Sequence, residues 1–528
     1  MHASPKSPKK ITTLKTALLT SRRLRFWKWN AEDGIRFLFQ GNAFISILIL
    51  GLITLFLFRE GLGFFPEYRR ELELYRRAGL EFVEVIRQQS LAHSDLSKLL
   101  TKIRQQESQK DSVTDSKVLN DYIAKFRGIA SPLNGFLAEL TEKVVAIKEK
   151  YRLAQDAKEH QIQLQKSEKS AEAAEITVEL PDFVQNAKEL KAVLPRYHEL
   201  NQILADEIDH WVSQAPTLHS PEAIELWKEF REKIIIYLGD MPRRENQLNQ
   251  WEFNRPVPLW RGMLDFFTGK DWVTQSYWND FYGILPLLIG SFLIAFLALF
   301  LAIPLGICSA IYVSQVASKR EQKWIKPSIE FIAAIPSVVL GFFGIFVLGE
   351  GIRWLTQQEF LSWVPFFPIQ ERVNIFTAGT LLALMAIPTI FTLAEDALNN
   401  VPRSYQEASF ALGATPLQTI LKIMIPTALS GMMAAILLGF GRVIGETMVV
   451  LLVAGNRIAI PDFSEGLGVF FQPSHTMTGI IAQEMGEVTP GSVLYRALFM
   501  VGILLFLISL SVNYVAQHLV KRFKISVS

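Results

Sequence analysis

Two opposite charges, Arg442 and Glu446, interrupt a hydrophobic stretch of the chain. They are four residues apart, so in a continuous helix they would share one face near the middle of a membrane span. An arginine at the bilayer centre costs roughly 2.5–3.5 kcal/mol to insert, so this side chain is expected to face protein or water. Either the two residues neutralise each other, or the arginine offers forked donors to a tetrahedral oxyanion while the glutamate orients it.

A polar connector, residues 401–426, precedes this stretch and carries a second set of spaced residues. The set comprises Glu407, Ala408, Ser409, Gly413, Ile423 and Pro426. Small residues allow close approach, Gly413 permits a sharp turn between two helices, and Glu407 offers a charge to a basic group of a partner. We therefore predict a docking element here, with Pro426 starting the next span.

Composition separates the chain into membrane and polar blocks. Its 528 residues are 50% hydrophobic and 20% charged, with a mean hydropathy of +0.22. The net charge of +3 gives no bulk attraction to nucleic acid. The single cysteine, Cys308, excludes an intrachain disulfide and a cysteine-based metal cage.

The sequence contains no phosphate-cradling G-x(4)-G-K-[ST] motif and no catalytic constellation. The eight histidines are scattered, and no serine sits in a nucleophile-elbow context. The chain is therefore expected to be no enzyme and to carry no cofactor or metal. Any ATP and magnesium would be bound by another chain.

Hydrophobic runs and flanking basic residues predict six membrane spans. A basic tail, residues 1–40, precedes an uncleaved first span at 41–58. Five further spans are expected within residues 258–528, at about 284–313, 335–355, 376–393, 427–454 and 494–515. The lysines and arginines near the spans place both termini in the cytoplasm. Pro327 and Glu330 are expected at the start of a cytoplasmic helix.

A long insertion, residues 59–257, separates the first two spans and has helical rather than membrane character. Leu96, Leu99, Leu100 and Ile103 recur at helical spacing, which favours helical hairpins or a short antiparallel coiled coil on the periplasmic side. It would serve as a docking arm or sensor, or as a spacer packed on itself. The aromatic stretch that follows predicts a helix along the membrane surface. Its proposed anchors are Trp260, Phe266, Phe267, Trp272, Trp278, Phe281 and Tyr282.

Both motifs resemble segments of one family. The connector resembles the EAA loop of ABC importer permeases, with Ser409 in place of the second alanine. The stretch GRVIGETMVV, from Gly441 to Val450, closely resembles the G-R-A-x-G-E-T-M-A-V segment of phosphate permeases of the PstC type. Further segments similar to that subunit are Leu285–Gln315, Ile329–Phe342, Ala394–Pro402 and Glu407–Thr415. The insertion has no counterpart in the compact members of the family.

This resemblance implies an all-α polytopic membrane protein of the MetI-like fold in a bacterial inner membrane. It would pair with a second permease of the PstA type and an ATPase dimer, and receive inorganic phosphate from a periplasmic binding protein. Arg442, Glu446, Thr447 and Ser337 would belong to the substrate pathway. The ATPase-coupling residues would be Glu407, Ala408, Ser409, Gly413 and Pro426. Alternatives are a permease for sulfate, molybdate or phosphonates, and a membrane sensor or scaffold that uses the insertion.

Overall fold

A computed structural model describes residues 31–108, 113–166, 177–215, 217–274, 276 and 278–523. The predicted basic tail lies largely outside these residues. The chain divides into two compact units, one ending at Arg59 and the other beginning at Glu60. Helices build nearly all of the described part, as the sequence predicts for an all-α protein.

The first unit contributes most of helix α1, Ala31–Leu62. This helix contains the predicted first span, and its apolar side chains are exposed. Their exposure fits a helix whose surroundings are lipid rather than water.

The insertion folds into a helical bundle. Its helices are α2 (Phe64–Arg77), α3 (Leu80–Ser108), α4 (Val113–Ile129), α5 (Ser131–Lys166), α6 (Phe183–Ala192), α7 (Leu194–Ser213) and α8 (Pro221–Asn249). Leu100 and Ile103 of α3 are buried as their spacing predicts, and α3 packs against α4, α5 and α8. All seven helices contribute to one hydrophobic core, so the insertion is a bundle rather than a two-stranded coiled coil.

The aromatic stretch after the bundle forms a short helix and a hairpin, and its position along a membrane surface stays a prediction. Helix α9 (Leu259–Thr268) is followed by a hairpin of β1 (Trp272–Val273) and β2 (Phe281–Tyr282), which pair antiparallel. Phe266, Trp272, Trp278 and Tyr282 are buried, whereas Trp260 is exposed. Phe266 packs edge to face with Phe64 of α2, Tyr282 packs edge to face with Tyr68 of α2, and Trp272 packs edge to face with Tyr282.

The remaining helices form the transmembrane core. They are α10 (Leu285–Ile311), α11 (Lys319–Ala334), α12 (Ser337–Phe343), α13 (Gly349–Thr356), α14 (Ile375–Asn399), α15 (Arg403–Ala411), α16 (Pro416–Thr419), α17 (Ile425–Gly445), α18 (Met448–Val453), α19 (Met477–Glu484) and α20 (Val493–Phe523). Helices α10, α14 and α17 pack side by side around a shared apolar core. This core positions the residues that the sequence analysis singled out.

Six helical segments of the described chain are long and apolar enough to cross a membrane, as the sequence predicts. They are Ile35–Arg77, Leu285–Val316, Ser337–Thr356, Ile375–Asn399, Pro416–Gly445 and Val493–Val515. The protein is therefore a multi-pass membrane protein with a large helical insertion.

One of the two predicted helix starts differs from the prediction. Helix α11 begins at Lys319, where Ser318 and Glu321 form a reciprocal cap, so Pro327 and Glu330 lie inside the helix. Pro426 lies in the first turn of α17, Ile425–Gly445, as predicted, although a continuous helical segment leads into it from Pro416. A wide π turn over Ile420–Met424 precedes Pro426 and accommodates its missing N–H.

Candidate functional site

The fifth span breaks at Glu446 and Thr447, the two residues that we call the break. The prediction of one span over 427–454 is wrong here, because α17 ends at Gly445 and α18 begins at Met448. Glu446 has an extended backbone, with φ −73° and ψ 131°. Its Oε1 accepts hydrogen bonds from the amides of Met448, at 3.1 Å, and Val449, at 3.4 Å. The carboxylate thus satisfies amides that the interruption exposes, which a membrane interior requires.

Arg442 lies in the last turn of α17, and its Nη1 donates to Thr389 Oγ1 at 3.2 Å. Among the described residues, no carboxylate forms an ion pair with this guanidinium. The alternative in which Arg442 and Glu446 neutralise each other is therefore wrong, as is the orientation of Arg442 by Glu446. At the break, the two side chains have different partners, and Arg442 keeps N–H donors for which the described residues supply no acceptor.

Ser337 and Thr447 open two neighbouring short helices. Ser337 is the first residue of α12, and Thr447 precedes the first residue of α18. A Cβ on Gly341 would meet Leu452, and one on Gly344 would meet Val453. Because both contacts advance in the same chain direction, the helices run parallel and begin at the same end. A role of Ser337 in a pathway at the break stays a prediction.

The sequence analysis missed Thr389, the partner of Arg442. Thr389 follows Pro388 inside α14, where it is half-buried. The tetrapeptides Ala-Ile-Pro-Ser, ending at Ser337, and Ala-Ile-Pro-Thr, ending at Thr389, are nearly identical. This similarity was the available signal, since both place a hydroxyl directly after a proline within the core.

A non-helical segment, residues 472–476, packs against the core beside the break. Gly290 of α10 permits this approach, because a Cβ there would lie 2.2 Å from the carbonyl oxygen of His475. The His475 ring is buried and its Nε2 lies 3.1 Å from Gln483 Oε1. Burial lowers the pKa of His475 to about 4, so the ring is neutral at pH 7 and adds no charge near the break.

The connector forms a tight helix–turn–helix. Gly413 sits between α15 and α16 with a φ of 80°, a left-handed conformation that favours glycine. Thr415 caps α16 reciprocally with Gln418. Ser409 is buried, and its hydroxyl lies 2.8 Å from that of Thr419, so the serine that replaces alanine joins the two helices.

The other coupling residues of the connector are accessible. Glu407, Ala408, Gly413 and Pro426 are all exposed. Leu412, at the tip of the turn, is 89% exposed, and Leu417 is also exposed. Large exposed apolar side chains beside a free carboxylate are typical of a protein-docking surface.

A second missed contact anchors the base of the connector. Lys326 of α11 forms an ion pair with Glu395 of α14, whose carboxylate also accepts from Asn399 Nδ2 at 3.0 Å. Glu395 is buried, so this pair fixes α11 against the helix that leads into the connector. This pair was not predicted from the sequence.

An interrupted span with an arginine that forms no ion pair among the described residues, in a chain with six candidate spans, is typical of membrane transport proteins. Residues 302–525 match the family model of the binding-protein-dependent transport system inner membrane component. A probable ABC transporter permease protein, YqgH, of Bacillus subtilis is 35% identical over 264 residues, covering 50% of this chain and 79% of that protein. The phosphate transport system permease protein PstC of Pasteurella multocida is 30% identical over 274 residues, covering 49% and 83%. The phosphate transport system permease protein PstC of Haemophilus influenzae is 30% identical over 282 residues, covering 50% of this chain and 85% of that protein.

The chain belongs to this family of ABC transporter permeases of the PstC type. The matches span about half of the chain, which leaves room for the insertion as an addition to the common permease core.

Proposed function

We propose that this chain is the transmembrane permease subunit of an ATP-driven importer of inorganic phosphate. The observation that carries the proposal is the Arg442 guanidinium, which lies beside a broken span and pairs with no described carboxylate. An unpaired cation inside a membrane is costly, so it is retained where an anion uses it. The names of the PstC relatives from two organisms support phosphate as that anion.

The chemistry of the break favours phosphate over fully ionised oxyanions. Arg442 supplies planar, forked donors that match two oxygens of a tetrahedral anion. Glu446 lies at the same break, and its carboxylate can accept a hydrogen bond from a protonated oxygen of phosphate. Sulfate carries no such proton at neutral pH and would meet only repulsion from the carboxylate. Thr447, Ser337 and Thr389 add hydroxyls that can donate or accept along the pathway.

The remaining components of the importer would be separate chains. An ATPase dimer, which binds ATP and magnesium, would dock on the connector through Leu412, Leu417 and the exposed Glu407. A second permease of the PstA type would complete the pathway, and a periplasmic binding protein would deliver phosphate. The chain would reside in a bacterial inner membrane with both termini in the cytoplasm and the insertion in the periplasm. ATP hydrolysis would drive alternating access around the break.

The test is phosphate uptake into vesicles that contain the reconstituted importer complex. Arg442→Ala should reduce uptake at least about tenfold, since hydrogen bonds to charged groups contribute about 1.5–3 kcal/mol. Arg442→Lys keeps the charge but lacks the forked donors, so its uptake should lie between that of the unmodified protein and that of Arg442→Ala. Arg353→Ala is the matched control, because Arg353 makes only a surface contact, 3.9 Å from Glu350.

Competition identifies the anion. Unlabelled phosphate should block the uptake of labelled phosphate, whereas sulfate or phosphonate at the same concentration should not. Normal uptake by Arg442→Ala would remove Arg442 from the pathway. Inhibition by sulfate as strong as that by phosphate would assign the chain to another oxyanion, and loss of function only on deletion of the insertion would favour a scaffold.

A further inference from the structure

A hydrogen bond from outside the fifth span holds the break. The hydroxyl of Thr478, near the start of α19, donates to the backbone carbonyl of Glu446 at 3.0 Å. This carbonyl belongs to the residue at which the helix is interrupted, so it lies outside the regular helical hydrogen-bond pattern. Thr478 therefore satisfies a main-chain group that the membrane interior leaves unsolvated.

Helix α19 is itself fixed at its first turn. The Met477 amide donates to Ser291 Oγ of α10 at 2.9 Å, and Thr476 caps the helix through the Gly479 amide at 3.1 Å. Gly479 has no room for a side chain, because a Cβ there would lie 2.8 Å from the His475 ring. The Thr478 hydroxyl is thus held at a defined place relative to the core.

The other end of α19 contacts the aromatic hairpin. Glu484, the last residue of α19, accepts a hydrogen bond from the hydroxyl of Thr274 at 2.9 Å. Burial raises the pKa of Glu484, and the Thr274 bond opposes that rise. A half-buried carboxylate at this position ties the helix to the residue directly after strand β1.

The hairpin in turn is anchored in the bundle of the insertion. Trp278 is buried and belongs to the hydrophobic core of the bundle. Its carbonyl oxygen accepts a hydrogen bond from Lys148 Nζ of α5 at 2.8 Å, and Lys148 is also buried. An unbroken series of contacts therefore runs from α5 through the hairpin and α19 to Glu446.

We propose that α19 is the positioning element of the break, with Thr478 as its positioning residue, and that the insertion acts on the break through Thr274 and Glu484. The part of this inference that concerns transport rests on the proposed function, in which Glu446 lines the phosphate pathway. Displacing the hairpin shifts α19, and a shifted α19 releases the Glu446 carbonyl. The insertion would then control the conformation of the break rather than act only as a spacer.

Cysteine labelling tests the position of the break without any substrate. The chain has a single natural cysteine, so Cys308→Ala gives a clean background in the complete complex. Gly445→Cys places a reporter beside the break, where an added Cβ meets nothing within 4 Å. The measurement is the rate at which a charged methanethiosulfonate reagent modifies this cysteine.

Thr478→Val should change the labelling rate about three- to tenfold, as expected for the loss of one hydrogen bond. Thr478→Ser should restore the original rate, because it keeps the hydroxyl. Thr274→Val should produce a smaller change, and the double variant should change no more than Thr478→Val alone, since both act through one helix. Thr268→Val is the matched control, because the Thr268 hydroxyl bonds only within its own helix, to the Leu264 carbonyl.

Two outcomes overturn the inference. Labelling of Thr478→Val at the rate of Thr268→Val would show that Thr478 does not position the break. An unchanged rate in Thr274→Val, with Thr478→Val altered, would remove the insertion from the mechanism. Because labelling needs no phosphate, a complex that fails to transport phosphate would refute the proposed function and leave this result readable.

Phosphate uptake provides the functional readout in the same variants. Thr478→Val should lower the maximal rate and Thr478→Ser should recover it, a rescue that a general packing defect would not show. Failure of the serine variant to recover the rate, despite normal labelling, would confine Thr478 to a structural role.

Discussion

The helical segment Pro416–Gly445 has two ends that are built in different ways. At its first end, the connector turn is fixed by residues close in sequence: Gly413, the Thr415 cap, and the pair of Ser409 and Thr419. At its second end, the break depends on residues far along the chain. Thr389 contacts Arg442 across 53 positions, and Thr478 contacts Glu446 across 32.

This difference follows from the surroundings of each end. The connector is exposed, so water can satisfy its backbone and local turn residues are enough to define it. At the break, the amides of Met448 and Val449 and the carbonyl of Glu446 have protein partners, as main-chain groups within a membrane span need. A turn such as that of the connector can therefore be encoded by a short motif, whereas the break requires contacts from several helices of the core.

The largest effect at the connector is expected from Gly413→Val. A β-branched residue at a φ of 80° costs roughly 1–2 kcal/mol or more, so the turn should distort. Copurification of the ATPase with the permease should fall, while insertion of the permease into membranes stays normal. Gly486→Val is the control, since that glycine is also exposed and unobstructed but has no left-handed backbone.

Unchanged copurification in Gly413→Val would show that the turn is adaptable. The connector would then resemble the break in depending on tertiary contacts, and the comparison between the two ends would fail.

An intermediate effect is expected at the break from Glu446→Leu. Leucine removes the oxygen that accepts from Met448 and Val449, and the loss of such a cap costs about 1 kcal/mol. Glu446→Gln keeps an acceptor oxygen and should retain most of the stability. The measurement is the temperature at which the purified complex loses its monodisperse peak on gel filtration.

If the leucine and glutamine variants lose stability equally, the charge of Glu446 rather than its capping bond maintains the break. Equal stability of both variants with the unmodified protein would instead show that Thr478 alone is sufficient.

Much of the fold could be predicted from the sequence. Long apolar runs and flanking basic residues identify six spans because hydropathy integrates over about 20 residues and tolerates local irregularity. The helical insertion could be predicted for the same reason, since Leu100 and Ile103 recur at helical spacing. What hydropathy cannot resolve is the interruption at Glu446, because the apolar pattern continues through it to Val453.

The candidate site divides in the same way. The turn of the connector at Gly413 could be predicted from its motif, but the pairing of Arg442 with Glu446 was wrong. A spacing of four residues places side chains together only if the helix is continuous, and contacts from α14 and α19 decide that. The aromatic stretch shows the same limit, since the spacing of its residues did not predict that Phe266 and Tyr282 pack against α2, far away in the sequence.

The smallest effect is expected from Ser409→Ala. This change removes the hydrogen bond to Thr419 and restores the alanine of the motif that the connector resembles. A net hydrogen bond contributes about 1 kcal/mol, but Gly413 and the Thr415 cap still define the turn, so ATPase copurification should stay nearly normal. The double variant Ser409→Ala with Thr419→Val should be no worse than the single one, because it leaves no buried hydroxyl unpaired. A loss of copurification as large as that of Gly413→Val would mean that the two short helices are held mainly by this bond, and that even the connector depends on one buried contact.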